Sequence, residues 1–276
     1  MGSQEVIWVT GAEGFLGGAV SEHLREAGWK VVGTDAELSV SDPERLERFA
    51  GEVMPAAVVN CAGIRRDATT LSTRIKAYEV NALGARNVAV AANAVGALMV
   101  QVSSDDVYAA VVPEPVNEFD NPHPTTPYGK SKRAGEMMVR NTTDDHLIVR
   151  SSWLYRADSG RFKDILDAAR EGRTYAARTD QVASPTSVDF YCKFLEKALE
   201  KRLTGTFHVA NTGSTSRYGF AAKILELAGY DPSAVLVAEE DPRTAEHLVL
   251  ESLLLEMSGV DIPAWDDELA RYMATL

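Results

Sequence analysis

Tyr128 and Lys132 stand four residues apart in a helical pattern, so they share one face of a helix, one turn from each other. A free phenol, with a pKa of about 10, is a poor acid or base at neutrality. An ammonium held beside it favours the phenolate, and its remaining donors can hold ribose hydroxyls. A lone Tyr-x-x-x-Lys is usually an ordinary amphipathic surface. Here it follows a strand that ends in the serine pair Ser103-Ser104, and a glycine fingerprint opens the same chain. Together these residues point to proton transfer at an oxygen beside a bound dinucleotide.

The fingerprint is Thr10-Gly-Ala-Glu-Gly-Phe-Leu-Gly17. The apolar run Val6, Ile7, Trp8, Val9 before it reads as a buried parallel strand, and Phe15 to about Ala27 as an amphipathic helix. Gly11 permits the tight turn, Gly14 lets backbone approach a pyrophosphate, and Gly17 allows close helix–strand packing. The helix start then presents free N–H groups and a positive dipole end to that pyrophosphate. Lys30–Thr34 reads as a second strand ending at Asp35, about 20 residues beyond the glycines, where an acid accepts from adenosine ribose hydroxyls. Its charge would repel a 2′-phosphate, so NAD(H) is favoured, with NADP(H) left open.

The elements that must position these groups alternate. Ser41 reads as the cap of a helix with Pro43 in its first turn and Glu44 three residues on, running to about Val53. Ala56–Cys61 is a third strand, followed by the small pair Ala62-Gly63. Helical spacing extends from Leu71 to Ala94 and includes Asn81, and Leu98–Val102 is a fourth strand. The Pro122–Pro127 loop leads into a helix from about Tyr128 to Arg140, and His146–Arg150 is the next strand. The order predicts right-handed crossovers and an α/β fold with a Rossmann-type, doubly wound parallel sheet. Beyond residue 150 the alternation loosens: helices over 161–171, 188–201 and 218–228, strands over 206–210 and 234–238, a loop over Gln181–Thr186, and short helices near Leu250 and Trp265. A nucleotide-binding domain over 1–150 and a small C-terminal substrate lobe over 151–276 are expected, with some later segments returning to the sheet.

The 276 residues suffice for a sizeable core, and 45% hydrophobic with 25% charged residues is the balance of a globular protein. The formal net charge of −12 argues against non-specific nucleic-acid binding and against an anionic membrane surface. Cys61 and Cys192 have no metal-ligand or disulfide spacing, so no metal is expected and a reducing cytoplasm fits. No apolar run is long enough to span a bilayer, and no signal-peptide core stands at the N-terminus.

The fingerprint, Asn60-Cys-Ala-Gly63, Asn81, Ser104 and Tyr128-Gly-Lys-Ser-Lys132 resemble the extended short-chain dehydrogenase/reductase superfamily along essentially the whole chain. Within it the chain is most similar to the dTDP-4-dehydrorhamnose reductases. Ser103-Ser104-Asp105 stands for that group's Ser-Thr-Asp and Arg150-Ser-Ser-Trp-Leu-Tyr155 for its Arg-Thr-Ser-Trp-x-Tyr. Asp180-Gln-Val-Ala-Ser-Pro-Thr186 matches its Asp-Gln-x-Gly-x-Pro-Thr. The resemblance implies reduction of a nucleotide-linked 4-keto-6-deoxysugar. Ser104 would hold the ketone oxygen, Tyr128 would protonate it, Lys132 would tune Tyr128 and clamp the nicotinamide ribose, and Asn81 would support Lys132 through a water. Cofactor contacts are implied for Gly11, Glu13, Gly14, Phe15, Leu16, Gly17, Asp35, Ser39, Val40, Cys61, Ala62, Gly63, Tyr128 and Lys132. Substrate contacts are implied for Ser104, Asp105, Asp106, Trp153, Gln181 and Arg243; a core tryptophan and a solvated arginine are the plain alternatives for Trp153 and Arg243. The expected partner is the nucleotide sugar, and a homodimer is compatible with the pattern.

The chain also departs from that group. Phe15 replaces the usual glutamine, Ser39 replaces an aspartate near the adenine, and Gly63-Ile-Arg-Arg-Asp67 replaces an Ala-Tyr-Thr-x-Val-Asp stretch. Asp106 stands where the group has tyrosine, which makes Ser-Asp-Asp-Val-Tyr similar to the Thr-Asp-Glu-Val-Tyr of nucleotide-sugar 4,6-dehydratases. Two alternatives follow: a dehydratase or epimerase with tightly held NAD, and a non-catalytic dinucleotide-binding regulatory subunit.

Overall fold

Strands that are apolar on both faces need cover on both sides, and the centre of the main sheet is built from three of them. The computed structural model describes residues 5–64 and 70–276. Its first elements are β1 (Val6–Thr10), α1 (Phe15–Glu26), β2 (Lys30–Thr34), α2 (Pro43–Val53) and β3 (Ala57–Asn60). They are followed by α3 (Leu71–Tyr78), a π-helical segment (Glu79–Gly84), α4 (Ala85–Ala94), β4 (Leu98–Val102), α5 (Pro127–Thr142) and β5 (His146–Ser151). Then come β6 (Leu154–Tyr155), α6 (Gly160–Arg170), β7 (Tyr175–Arg178), β8 (Gln181–Ala183), β9 (Thr186–Ser187), α7 (Val188–Lys201) and β10 (Gly205–Val209). The chain closes with β11 (Thr215–Ser216), α8 (Arg217–Leu227), α9 (Pro232–Val235), β12 (Leu236–Glu239), β13 (Glu246–His247), α10 (Leu253–Met257) and α11 (Trp265–Met273).

Six strands form one sheet in the order β10-β5-β4-β3-β1-β2, and the pairs from β2 through β5 are parallel. From β1 the chain runs to β2 on one side and to β3 on the other, so the strand order reverses at β1, the switch point where open α/β sheets leave a ligand crevice. Trp8, Leu46, Val58, Val88, Met99 and Val139 pack one core against this sheet.

Two units divide the chain: Met1–Tyr108, Asn121–Arg150 and Cys192–Phe207 in one, and Ala109–Asp120, Ser151–Tyr191 and His208–Leu276 in the other. The second has its own core of Tyr155, Phe162, Ile165, Phe220, Ile224 and Leu269. Its small sheets are β11-β8-β13, β12-β7 and β6-β9. Among the described residues no helix is long and apolar enough to cross a membrane.

Several local expectations change. Asp42, not Ser41, caps α2: its side chain accepts from Arg45 N, which puts Pro43 at the first helical position. The helical stretch 71–94 is interrupted by the π segment at Asn81. Gln181–Thr186 is not simply a loop but carries β8 and the start of β9, each held by partners distant in sequence. The 234–238 stretch begins in α9 and becomes a strand only at Leu236. Leu250 is bridged to Val116, and the helix expected there starts at Leu253.

Candidate active site

The glycine turn has the shape its residues require. Gly11 has φ +67°, and a Cβ there would lie 2.7 Å from Ala62 N, so the end of β1 touches the end of β3 backbone to backbone. A Cβ on Gly17 would lie 2.0 Å from Gly11 O, which only glycine tolerates. Gly14 caps α1 with no side-chain bond, and no acid stands in the helix's first turn, so its N–H groups and dipole are available to an anion. Phe15 and Leu16 begin that helix half-buried.

Asp35 Oδ2 accepts from Glu13 N at 2.9 Å, and Asp35 N donates to Glu37 Oε1 at 2.8 Å. Both acids line a cavity of about 280 Å³ with Ala12, Gly33 and Arg25. Arg25 is a residue the sequence reading missed; a Cβ on Gly33 would stand 3.9 Å from its Nη2. Its signal was present, since it sits on the same face of α1 as the buried Ser21, one turn earlier. Ser39 is exposed, with Oγ accepting from Ser41 N. Val40 is buried in the core, its carbonyl held by Asn87 Nδ2 at 3.1 Å.

The groups expected to move a proton lie in the first unit, and close backbone approaches bring them together. A Cβ on Gly129 would fall 1.9 Å from Asp106 O, and one on Gly135 would fall 2.1 Å from Asn81 O. These two glycines let α5, with Tyr128 and Lys132, lie directly on the Ser104–Asp106 turn and on the π segment. Neither was singled out in the sequence, because a glycine's packing partner is not visible there. Thr126 caps α5 by accepting from Gly129 N at 3.0 Å, which sets where its first turn, and so Tyr128, begins.

Within this frame Ser104 Oγ lies 2.9 Å from Asp105 Oδ1 and 3.1 Å from Asp106 Oδ2, and accepts from Asp106 N at 3.2 Å. Tyr128 is half-buried on the first turn of α5. Lys132 is buried, and its Nζ donates to Val102 O at 2.7 Å, the carbonyl that also takes Gln101 Nε2 at 2.8 Å. Burial pulls the Lys132 pKa down to about 8, against the opposing pull of Glu136. Burial likewise pushes the Cys61 thiol up to about 12, opposed by Lys132.

Asn81 is buried in the π segment, a geometry often found at functional sites. Its amide accepts from Ile64 N at 2.8 Å and donates to Ile64 O at 3.0 Å and Ser131 Oγ at 2.9 Å. It thus reaches α5 directly, one residue before Lys132. Gly63 is closely approached on this side: a Cβ there would meet Asn81 Oδ1 at 3.3 Å and Lys132 Nζ at 4.0 Å. The rest of the Gly63–Asp67 stretch beyond Ile64 lies outside the described residues.

Another group the sequence reading passed over is Glu136, one turn beyond Lys132 and fully buried. It accepts from Arg150 Nε and Nη2 at 2.8 Å each, from Arg133 Nη1 at 3.0 Å and from Ser103 Oγ at 2.6 Å. Arg150 Nη1 also donates to Tyr108 Oη at 2.7 Å. Burial alone would raise the Glu136 pKa, but the bonds and charge of Arg150 outweigh it and hold the carboxyl below its ordinary range.

In the second unit Trp153 takes φ +37°, and the Arg217 guanidinium stacks on its ring, 3.2 Å from the centroid. β11 precedes Arg217 directly and pairs with β8, the strand of Gln181. Gln181 Nε2 donates to Thr244 O at 3.1 Å. Arg243 is exposed and forks onto Asp241, through Nε to Oδ1 and Nη2 to Oδ2 at 2.9 Å each. Trp153 is half-buried, and Arg243 is a solvated arginine paired with Asp241.

A Rossmann-type sheet, a glycine turn at its switch point and a Tyr-x-x-x-Lys helix on a serine-ended strand define an extended short-chain dehydrogenase/reductase. The family model described as RmlD substrate binding domain matches residues 5–276, and the chain belongs to that family. It is 33% identical over 277 residues, 97% of this chain and 96% of the relative, to the spore coat polysaccharide biosynthesis protein SpsK of Bacillus subtilis. It is 30% identical over 290 residues, 99% of this chain and 94% of the relative, to the dTDP-4-dehydrorhamnose reductase of Mycobacterium tuberculosis. Among solved structures, the dTDP-4-dehydrorhamnose reductase of Bacillus anthracis in complex with NADP superposes with a TM-score of 0.92 at 31% identity, covering 99% of this chain and 100% of that one.

Proposed function

We propose that this protein reduces the ketone of a nucleotide-linked 4-keto-6-deoxysugar with NADH or NADPH, as a dTDP-4-dehydrorhamnose reductase does. The observation that carries the reading is the seating of α5 through Gly129 and Gly135, which gathers Ser104, Tyr128, Lys132 and Asn81 in one unit of a chain belonging to this family.

The residues present fit a dinucleotide. Gly14 starts α1 with no side-chain cap, so the first N–H groups of the helix can meet a pyrophosphate. Gly11 and Gly17 let the turn pack backbone to backbone, and Gly63 brings the end of β3 close to Asn81 and Lys132. Asp35 supplies an acceptor for ribose hydroxyls, while Arg25 in the same cavity supplies a cation for a 2′-phosphate. Asp35 therefore does not act alone, and both cofactor forms are accommodated. When bound, the nicotinamide supplies hydride to the ketone carbon.

The protein's own part is acid catalysis and orientation. Ser104 turns its hydroxyl from the neighbouring carboxylates toward the ketone oxygen. Tyr128 gives that oxygen its proton, and the Lys132 ammonium, anchored on Val102 O, makes the phenolate left behind tolerable. Asn81 fixes the Ile64 peptide beside Lys132 and ties it to α5. The resemblance adds Trp153 and Gln181 as candidate contacts to the sugar nucleotide. Cys61 and Cys192 are not joined in a disulfide, which suits a reducing compartment such as the cytoplasm.

The deciding assay follows reduced-cofactor absorbance with dTDP-4-keto-6-deoxyglucose, with and without a 3,5-epimerase, using NADH and NADPH in turn. Substrate-dependent oxidation of the cofactor is expected. Turnover of a nucleotide-glucose by the protein as purified, without added reductant, would replace this reading with the dehydratase one.

A further inference from the structure

Glu136 has no part in the chemistry above, yet it is a buried anion beside it. Taking a carboxylate out of water costs several kcal/mol, and a well-packed apolar group in its place is often no less stable. Its bonds show what else it does. Ser103, whose hydroxyl it accepts, lies between Val102, which receives Lys132 Nζ, and Ser104. Arg150, which it holds with two bonds, comes from the neighbouring strand β5. Glu136 itself rides on α5, four residues after Lys132 and on the same face.

We propose that Glu136 is a positioning residue for the reduction: it braces the strand end bearing Ser104 against the helix bearing Tyr128 and Lys132, and its charge keeps Lys132 an ammonium in a dry site. The inference rests on the reductase reading. Burial works against the ammonium, and Glu136 is the leading group that opposes it. Cys61, at the end of β3, also acts on Lys132, but as a thiol held up to about 12 it carries no charge at neutral pH. Of the other ionisable groups on elements packed against α5, Arg74 and Tyr78 on α3 and Arg86 on α4 are exposed to solvent, and the buried or turn-borne ones have partners of their own. Asp105 and Asp106 are bonded to Ser104, Tyr108 to Arg150, and Glu79 on the π segment to Lys76. Arg133 and Arg150 are bonded to Glu136 itself.

The sign is fixed by the direction of the Lys132 shift: the ammonium is present below about pH 8 and lost above it. Glu136→Gln keeps the shape and removes the charge, so the Lys132 midpoint falls and the alkaline limb of kcat moves to lower pH with it. A displacement of about one pH unit is expected, which is about a tenfold loss on the alkaline side and little change on the acid side. Lys132 is titrated in the resting enzyme by NMR of 13Cε-labelled lysine, assigned with Lys132→Arg. Glu136→Asp, which keeps the charge, should restore most of the limb although its shorter reach weakens the brace. If the lone glutamine variant does not fold beside two unpaired guanidiniums, the same comparison is made in an Arg150→Met background. An unchanged Lys132 midpoint in the glutamine variant, with only a lower Tm, makes Glu136 a packing residue and overturns the proposal. Failure of the wild type to oxidise reduced cofactor with any keto-sugar would instead sink the reductase reading, and the resting titration keeps the two outcomes apart.

Discussion

Two guanidinium–carboxylate forks in this molecule have nearly the same geometry and opposite surroundings. In the first unit Arg150 grips Glu136 with both side chains out of water, at 2% and 0% exposure; in the second Arg243 grips Asp241 at 88% and 31%. Distance does not distinguish them, since every bond of both forks is 2.8 or 2.9 Å long. Solvent does. The buried fork cannot exchange partners without stranding a charge, so it fixes the backbone around Ser104 and Lys132. The exposed fork is screened and opens at little cost, so Arg243 is able to exchange its own carboxylate for another anion.

If the buried fork frames the proton-transfer end, the largest effect belongs to the proton donor it frames. Tyr128→Phe should lower kcat by about two to four orders of magnitude while leaving the Kd for NADH nearly unchanged, as measured by steady-state kinetics and fluorescence titration. An unaltered kcat would remove Tyr128 from the chemistry and leave the fork framing nothing.

Breaking the fork itself comes next. Arg150→Ala leaves Glu136 buried without its main partner and should cost about 3–5 kcal/mol in denaturant unfolding at neutral pH. The pH dependence gives this prediction its edge. In the wild type the Glu136 pKa is held below the ordinary carboxylate range, so its contribution is present at neutrality and is lost as pH falls through that lowered value. In the variant burial is less opposed, the pKa rises, and protonation relieves the stranded charge, so the gap between the two proteins narrows on acidification. A gap that stays constant with pH would mean that the loss is one of packing alone.

The same contrast explains how far the sequence could be read. The sheet was legible because β1, β3 and β4 are short, mostly apolar runs, and the Tyr128–Lys132 pair because one helical turn is a fixed spacing. Glu136 was passed over because Lys132-x-x-x-Glu136 reads as an exposed ion pair on a helix; its burial depends on Arg150 and Ser103 arriving from two other strands. Gly129 and Gly135 matter through contacts with Asp106 and Asn81, which no local pattern announces. In the second unit, β8 and β9 are two or three residues long and their partners lie far along the chain, so neither could be told from a loop.

The smallest effect separates the two forks most cleanly. Arg243→Ala removes a fork of the same geometry, yet its side chain is solvated and its turn is held by other bonds: Asp241 N donates to Asp180 Oδ2 at 2.8 Å, and Arg178 Nη2 donates to Asp241 O at 2.9 Å. The unfolding midpoint should therefore stay within experimental error of the wild type, in contrast to Arg150→Ala. Should Arg243 meet the nucleotide diphosphate, as the resemblance implies, KM for the sugar nucleotide rises severalfold while kcat holds, because a contact made equally in ground and transition states is all that is lost. An unchanged KM would leave Arg243 a solvated arginine, and a large fall in Tm would show that exposure is not what separates the two forks.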